Sequence, residues 1–203
     1  MHDTISTGPD VAGLFLVASE QGGYFTSVQA QAYGYNKQLL AHHAESGRFQ
    51  RQRRGLYRLR DYPSSPREDV MAVWLAAGKE QAVVSHESAL ELLGLSDVVP
   101  SRIHLLLPRT RRWFRAPPGV TLHTTTHPVN AEEVVTRQGM RVTAPLRTIL
   151  DVAEAGTAPE QVILAITQAR EHGMIITAHL RQAAQQREQR VQQLIDHALS
   201  ESS

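Results

Sequence analysis

The stretch GYFTSVQAQAYGYNKQLLAHHAESGRFQRQRRGLYRL, residues 23–59, decides how the chain is read. Thr26 or Ser27 offers a hydroxyl to cap a helix through Val28, Ala30 and Ala32, which Gly34 closes with a tight turn. A second helix follows from about Tyr35 to Glu45, with Tyr35, Leu39, Leu40 and His43 spaced to face a core and Gly47 just beyond its end. Phe49 to Arg53 and Leu56 to Leu59 then suit two short strands reversed at Arg54-Gly55. Helix, short turn, helix and hairpin in that order predict a winged helix-turn-helix.

In such a unit the second helix lies in the major groove of duplex DNA, so its outward side chains are the ones that read bases. Asn36, Lys37, Gln38, Ala41 and His42 project away from the predicted core face. Asn and Gln amides pair bidentately with adenine, and Lys donates to guanine or to phosphate. Thr26 and Ser27, at the start of the preceding helix, suit a phosphate. Arg51, Arg53 and Arg54 on the hairpin suit phosphate or minor-groove contacts, and Arg48, just before it, joins the basic set. The ten residues named here other than Ala41 are the predicted DNA-binding set. Each element alone is ordinary; a helix-turn-helix is also a packing unit, and an arginine-bearing hairpin is often plain surface.

Charge supports the DNA reading by its position. The net formal charge is only +1, but residues 36–60 carry Lys37, Arg48, Arg51, Arg53, Arg54, Arg58 and Arg60 against Glu45 alone, 7 − 1 = +6, leaving +1 − 6 = −5 elsewhere. A basic block in an acidic remainder is a phosphate-binding footprint. The chain has no cysteine, which removes disulfides, thiolate metal sites and thiol nucleophiles. No apolar run reaches the roughly 20 residues of a membrane span, and the first residues lack a signal-peptide pattern, so a cytoplasmic protein is expected.

Upstream, residues 9–21 read as a helix with Val11, Leu14, Phe15 and Ala18 at helical spacing. Downstream, the Pro- and Ser-rich residues 61–66 read as a linker, giving a DNA-binding domain over 1–60 and a second domain over 67–203. In the second domain helices are expected over 67–77, 85–93 and 146–155, with strands near 82–84, 103–107, 120–125, 134–135 and 140–143. After Pro159 the pattern is helical with a break at Gly173. The fold class is therefore α+β, a winged helix-turn-helix followed by a mixed α/β domain with a helical tail. Leu180, Ala184, Arg187, Val191, Leu194 and Ala198 make a heptad-like seam flawed by Arg187, which internal packing explains better than a dimer coil.

Several motifs resemble a known family. Gly23 to Ser27, Gly34-Tyr35, Gly47-Arg48-Phe49 and the ending Arg54-Gly55-Leu56-Tyr57-Arg58-Leu59 are similar to the amino-terminal domain of AbiEi-type antitoxins of type IV toxin–antitoxin systems. Ser85-His86-Glu87-Ser88-Ala89, the strand from Ile103 to Pro108, His123, Gly139 and the run from Val142 to Asp151 extend the resemblance over about residues 10–155. It implies a repressor of its own operon, binding double-stranded operator DNA at inverted repeats, and a second domain that counteracts a nucleotidyltransferase-like toxin without a stable complex. The oligomeric state stays open.

Other constellations are set aside. His123 and His127 stand four apart, but on a strand that spacing does not converge on one metal. His86-Glu87 and His104 are candidates to join such a site, but ten histidines in this length make chance pairings common, so satisfied or exposed histidines, no metal and no cofactor are expected. Arg147 and Asp151, four apart on a helix, read as an ion pair. Arg109, Arg111, Arg112 and Arg115 with Trp113 and Phe114 admit two readings: a hairpin tip with an aromatic tucked inward, or a second contact with DNA or an acidic partner. No enzyme is expected, since the second half has only Lys79 and no tight acidic cluster around it for nuclease chemistry. A DNA-targeted nuclease and a one-component regulator with a ligand-sensing domain remain the rival readings.

Overall fold

The computed structural model describes residues 8–125 and 129–201; His127 lies outside them. The chain forms two compact units that divide between Lys79 and Glu80.

The first unit begins with α1 (Val11–Ser19), capped by the Asp10 carboxylate, which accepts from the Gly13 N–H at 2.8 Å. Next come β1 (Tyr24–Thr26), α2 (Ser27–Ala32), α3 (Lys37–Glu45), and the hairpin of β2 (Phe49–Arg53) and β3 (Leu56–Leu59). The three strands pair antiparallel in the order β1-β3-β2, so the hairpin is anchored through β3 to the strand that enters α2. This is the expected winged helix-turn-helix. Leu14, Ala18, Phe25, Ala30, Tyr35, Leu40, Phe49 and Tyr57 form its core. Phe25 meets Phe49 edge-on at 4.9 Å and stacks on Tyr57 at 5.8 Å, tying all three strands to the helices. Only part of the apolar stripe of α1 is used: Leu14 and Ala18 are buried, whereas Val11 and Phe15, expected inward, are about half exposed.

The expected linker is not a free connection. At residues 61–66 the chain stays on the first unit: the Tyr62 hydroxyl donates to the Ser19 carbonyl at 3.0 Å, and the Tyr62 ring occupies the space a β-carbon on Gly23 would need. Gly23 also has φ +86°, a second reason for glycine there. Beyond this segment α4 (Glu68–Ala77) packs against β1 and β3, and Glu68 pairs with Arg58 of β3 at 3.1 Å. That helix therefore completes the first unit, and the division falls after it, where the sequence alone places it at 61–66. Local composition shows a Pro-rich turn but not which body the next helix joins.

The second unit holds a mixed five-stranded sheet of β4 (Val83–Val84), β5 (Ile103–Pro108), β6 (Val120–Thr125), β7 (Val134–Arg137) and β8 (Met140–Thr143), in the order β6-β5-β4-β8-β7. β5 with β6 and β4 with β8 run parallel; the other two pairs are antiparallel. α5 (His86–Leu93) lies on β5 and β8 and packs against α6 (Pro145–Ala155). α6 packs in turn against α7 (Pro159–Glu171) and α9 (Gln189–Glu201), with α8 (Thr177–Ala184) against α9. The heptad-like seam thus spans two helices: Leu180 and Ala184 belong to α8, Val191 and Ala198 to α9, all four buried. Arg187 falls in the turn between them.

Candidate nucleic-acid interface

The turn from α2 to α3 is set by backbone satisfaction. Thr26 and Gln29 form a reciprocal cap in which the Thr26 hydroxyl accepts from the Gln29 N–H at 3.1 Å and the Gln29 side chain accepts from the Thr26 N–H at 2.9 Å. Gln29 is itself held by Gln21. Asn36 caps α3, its side chain accepting from the Leu39 N–H at 2.8 Å. Tyr35, directly before it, is fully buried, and His43 lies between Tyr35 and Phe49 with ring centroids 5.7 and 5.0 Å away. Burial pushes the His43 imidazole below its usual range, and the nearby Arg48 adds to this. The inward set of α3 is therefore the predicted one, and Lys37, Gln38, Ala41 and His42 are exposed on its outer side.

The sequence-predicted residues divide by what holds them. Lys37, Gln38, His42, Arg48, Arg51 and Arg54 are exposed, and Arg53 is half-buried. Thr26 and Asn36 spend their side-chain oxygens, and Thr26 its N–H, on the caps, so their first role is to position α2 and α3. Ser27 donates its N–H to the Gly55 carbonyl at 2.9 Å, bringing the start of α2 beside the Arg54-Gly55 turn of the hairpin. That bond places Ser27 and Arg54 on one side of the unit. A register shift between Arg51 and Arg53 bends β2 just before the turn.

Arg58 departs from the charge footprint. It is 7% exposed, donates to the Pro63 carbonyl at 3.2 Å and to Glu68 at 3.1 Å, and stands 5.6 Å from the Tyr24 ring centroid. One of the seven cations of the basic block is thus an internal brace. Its neighbours Arg54 and Arg60 are exposed.

Two family models cover most of the chain. Residues 14–60 match a transcriptional regulator of the AbiEi antitoxin type, and residues 81–201 match the AbiEi antitoxin C-terminal domain. The chain belongs to the AbiEi antitoxin family. The second match begins one residue after the first residue of the second unit, and residues 61–80 lie in neither match. In fold, this AbiEi-family chain is similar to the crystal structure of the RV2827C protein from Mycobacterium tuberculosis, with a TM-score of 0.58 and 14% identity over 95% of this chain and 76% of that one. The comparison with curated proteins gave no match. The chain is an antitoxin of the DNA-binding, transcription-regulating kind, and no helix among its described residues is long and apolar enough to cross a membrane.

In the C-terminal AbiEi domain the Arg109–Arg115 loop opens with a short 3-10 turn at Arg109–Arg111. Trp113 is 66% exposed while Phe114 is half-buried; the Arg111 guanidinium lies 4.7 Å from the Trp113 ring centroid, and Arg111 also donates to Gln81 at 3.2 Å. Arg109, Arg112 and Arg115 are exposed. The predicted pair on α6 is present: Arg147 Nε donates to Asp151 at 2.7 Å, and Arg147 Nη1 donates to Glu133 at 2.7 Å. Arg187, the flaw of the seam, reaches back to Glu154 and lies 3.9 Å from Asp151. Burial drives the Asp151 carboxyl above its usual range, opposed by Arg147 and Arg187. His86, His104 and His123, whose joining in one site the sequence reading sets aside, converge in this domain.

Proposed function

We propose that the first unit binds operator DNA, with α3 in the major groove and the Arg51 to Arg54 end of the hairpin on the flanking backbone, and so represses the operon that encodes the chain. The observation that carries this reading is the side-chain division of α3. Leu40 and the preceding Tyr35 are buried while Lys37, Gln38 and His42 are exposed, on a helix whose start is pinned by Asn36 beside a cation-rich hairpin. Lys37, Arg48, Arg51, Arg53 and Arg54 supply phosphate contacts, Gln38 and His42 the base contacts, and Ser27 a hydroxyl near the Arg54 turn. Thr26 and Asn36 act by holding the two helices. The operator is an inverted repeat read by two copies. The second unit counteracts a cognate toxin that resembles a nucleotidyltransferase, as a binding protein and not as an enzyme, and no stable complex with the toxin is required. The exposed Arg109, Arg112 and Arg115 give it a cationic contact surface.

The test is duplex binding by the full chain as a function of salt. Five phosphate contacts give a slope of log K against log salt of about −4 to −5. Gln38→Ala relaxes base preference by roughly 1–3 kcal/mol at single positions, whereas Arg54→Ala weakens all duplexes alike. Equal affinity for operator and random duplex, or a slope near zero, overturns the assignment. For the second role, growth is followed in cells carrying the neighbouring toxin gene; failure of residues 80–203 to restore growth where the full chain does so refutes the division of labour.

A further inference from the structure

The convergence of His86, His104 and His123 is produced by the sheet and by one tight turn. β5 and β6 run parallel with His104 opposite Thr121 and Leu106 opposite His123. His104 and Leu106 share a face of their strand, so His104 and His123 emerge on the same face of the sheet, one step apart. Their ring nitrogens, Nδ1 of His104 and Nε2 of His123, are 3.0 Å apart. His86 arrives from the other side of the cluster, as the first residue of α5, and lies flat on His123 with ring centroids 3.4 Å apart and planes 14° from parallel.

The turn that carries His86 is fastened to the strand that carries His104. The Ser85 N–H donates to the His104 carbonyl at 3.0 Å, and the His104 N–H donates to the Ser88 hydroxyl at 2.9 Å. His86 is held at φ +52°, a conformation seldom adopted by residues with a β-carbon. Its Nδ1 is 2.9 Å from the buried Ser85 hydroxyl. That pairing leaves Nε2 as the ring nitrogen available to an ion, the arrangement by which a second group orients a metal-binding imidazole.

We propose that His86, His104 and His123 form a binding site for a divalent transition-metal ion of the zinc type, with one coordination position open to solvent. One nitrogen from each ring lies within 4.8 Å of the other two. Tetrahedral Zn²⁺ with bonds of about 2.0–2.1 Å needs nitrogens about 3.3 Å apart. The His104–His123 pair, at 3.0 Å, is within a few tenths of an ångström of that spacing, and turning the His86 ring out of its stack on His123 supplies the third ligand.

Two features mark the site as a place for a cation. His86 is buried and His104 and His123 are half-buried, so three imidazoles are gathered away from bulk water where one ion can bridge them. The 3.0 Å contact between His104 Nδ1 and His123 Nε2 is a ring-to-ring hydrogen bond, which a metal ion replaces once the donor ring carries its proton on its other nitrogen. A cavity of about 390 Å³, lined by His86, His123, Thr124, Arg147, Asp151 and Glu154 among others, gives access for the ion and room for a fourth ligand. On its wall Asp151, 5% exposed, has one buried carboxylate oxygen, Oδ2, with no hydrogen-bond partner. That acceptor suits a water or a small hydrogen-bond donor held at the open position. The absence of thiolates restricts the ion to those that imidazole serves, zinc, cobalt, nickel and copper among them.

The experiment is titration of the chelator-stripped full-length chain with Zn²⁺ alone by calorimetry, and with Co²⁺ for its visible absorption, near neutral pH. One Zn²⁺ per chain is expected, with affinity reduced about 100-fold or more in His104→Gln and in His123→Gln and unchanged in a His172→Gln, His179→Gln control, whose histidines are exposed. No saturable binding by the wild-type chain overturns the proposal, as does equal affinity in the site and control variants. Should either site variant lose its near-ultraviolet circular dichroism, the decision passes to ring-nitrogen NMR shifts of the wild-type chain. Zn²⁺-dependent shifts of His86, His104 and His123 together support the site, and shifts confined to other histidines refute it.

Discussion

Arg58 and Arg54 stand four residues apart in one basic run, yet the structure gives them opposite roles, and substitution separates them. Arg58 makes one bond to a carboxylate and one to a carbonyl from a side chain that is 9% exposed. Charge-assisted bonds contribute about 1.5–3 kcal/mol each, and removing one partner of a fully buried pair costs about 3–5 kcal/mol. Two facts lower the figure. The Glu68 side chain is 32% exposed and regains water when Arg58 is lost, and Arg58 Nε is already without a partner. Arg58→Ala is therefore expected to destabilise the first unit by roughly 2–4 kcal/mol. Arg58→Met keeps most of the aliphatic stem and should cost less. Trp74 on α4 is 3% exposed and reports on this unit, so urea unfolding followed by fluorescence in a Trp113→Phe background reads the loss as a lower midpoint. Below the midpoint, the salt slope of duplex binding should not change. Arg54→Ala should show the reverse, an unchanged midpoint and a slope shallower by about 1. Were Arg58→Ala to unfold within 0.5 kcal/mol of the parent (roughly the scatter of surface changes) and to flatten the salt slope, the bracing role would be wrong.

Thr26→Ala removes one half of the reciprocal cap and should cost about 1 kcal/mol in urea unfolding, with weaker DNA binding only in proportion to the unfolded fraction. Since α4 completes the first unit, a fragment of residues 1–79 is expected to fold and bind the duplex, whereas 1–60, lacking Glu68, should show little cooperative unfolding by circular dichroism; equal midpoints for the two would refute the role of α4. His43 is held below its ordinary value of 6.5, so the unfolded chain takes up its proton first as pH falls. The stability it allows is present above about pH 6.5 and declines below it, and His43→Gln should flatten the fall of the first unit's urea midpoint between pH 7 and 5.

The first unit was largely legible because its signals are local. Capping hydroxyls, glycines at φ above zero, and apolar spacings of three and four act within one or two turns of chain, and α2, α3 and the hairpin fall where those signals place them. The outward face of α3 followed from the same spacing. Thr26 and Asn36 show the limit: a residue type suited to a phosphate or a base is equally suited to a cap, and only the bonds actually made tell which comes first.

What the sequence could not show depends on where distant segments return. Arg58 reads as one more surface cation because strand alternation assumes one wet face; β3 has Leu56, Tyr57 and Arg58 all buried, since it is the central strand of the sheet and α4 comes back onto it. The helix that hides the charge also brings its partner, Glu68. The histidines pose the same problem on a larger scale. A spacing rule applied to His123 and His127 asks which residues share a helical turn, but the ligating geometry comes from the parallel register of β5 with β6 and from the bonds that pin the β4 to α5 turn onto β5. Sequence separation in that cluster carries no information about distance. A basic count and a histidine count are therefore both upper bounds on sites: the first shrinks once side chains are buried in pairs, and the second acquires meaning only when a sheet register and a pinned turn bring the rings together.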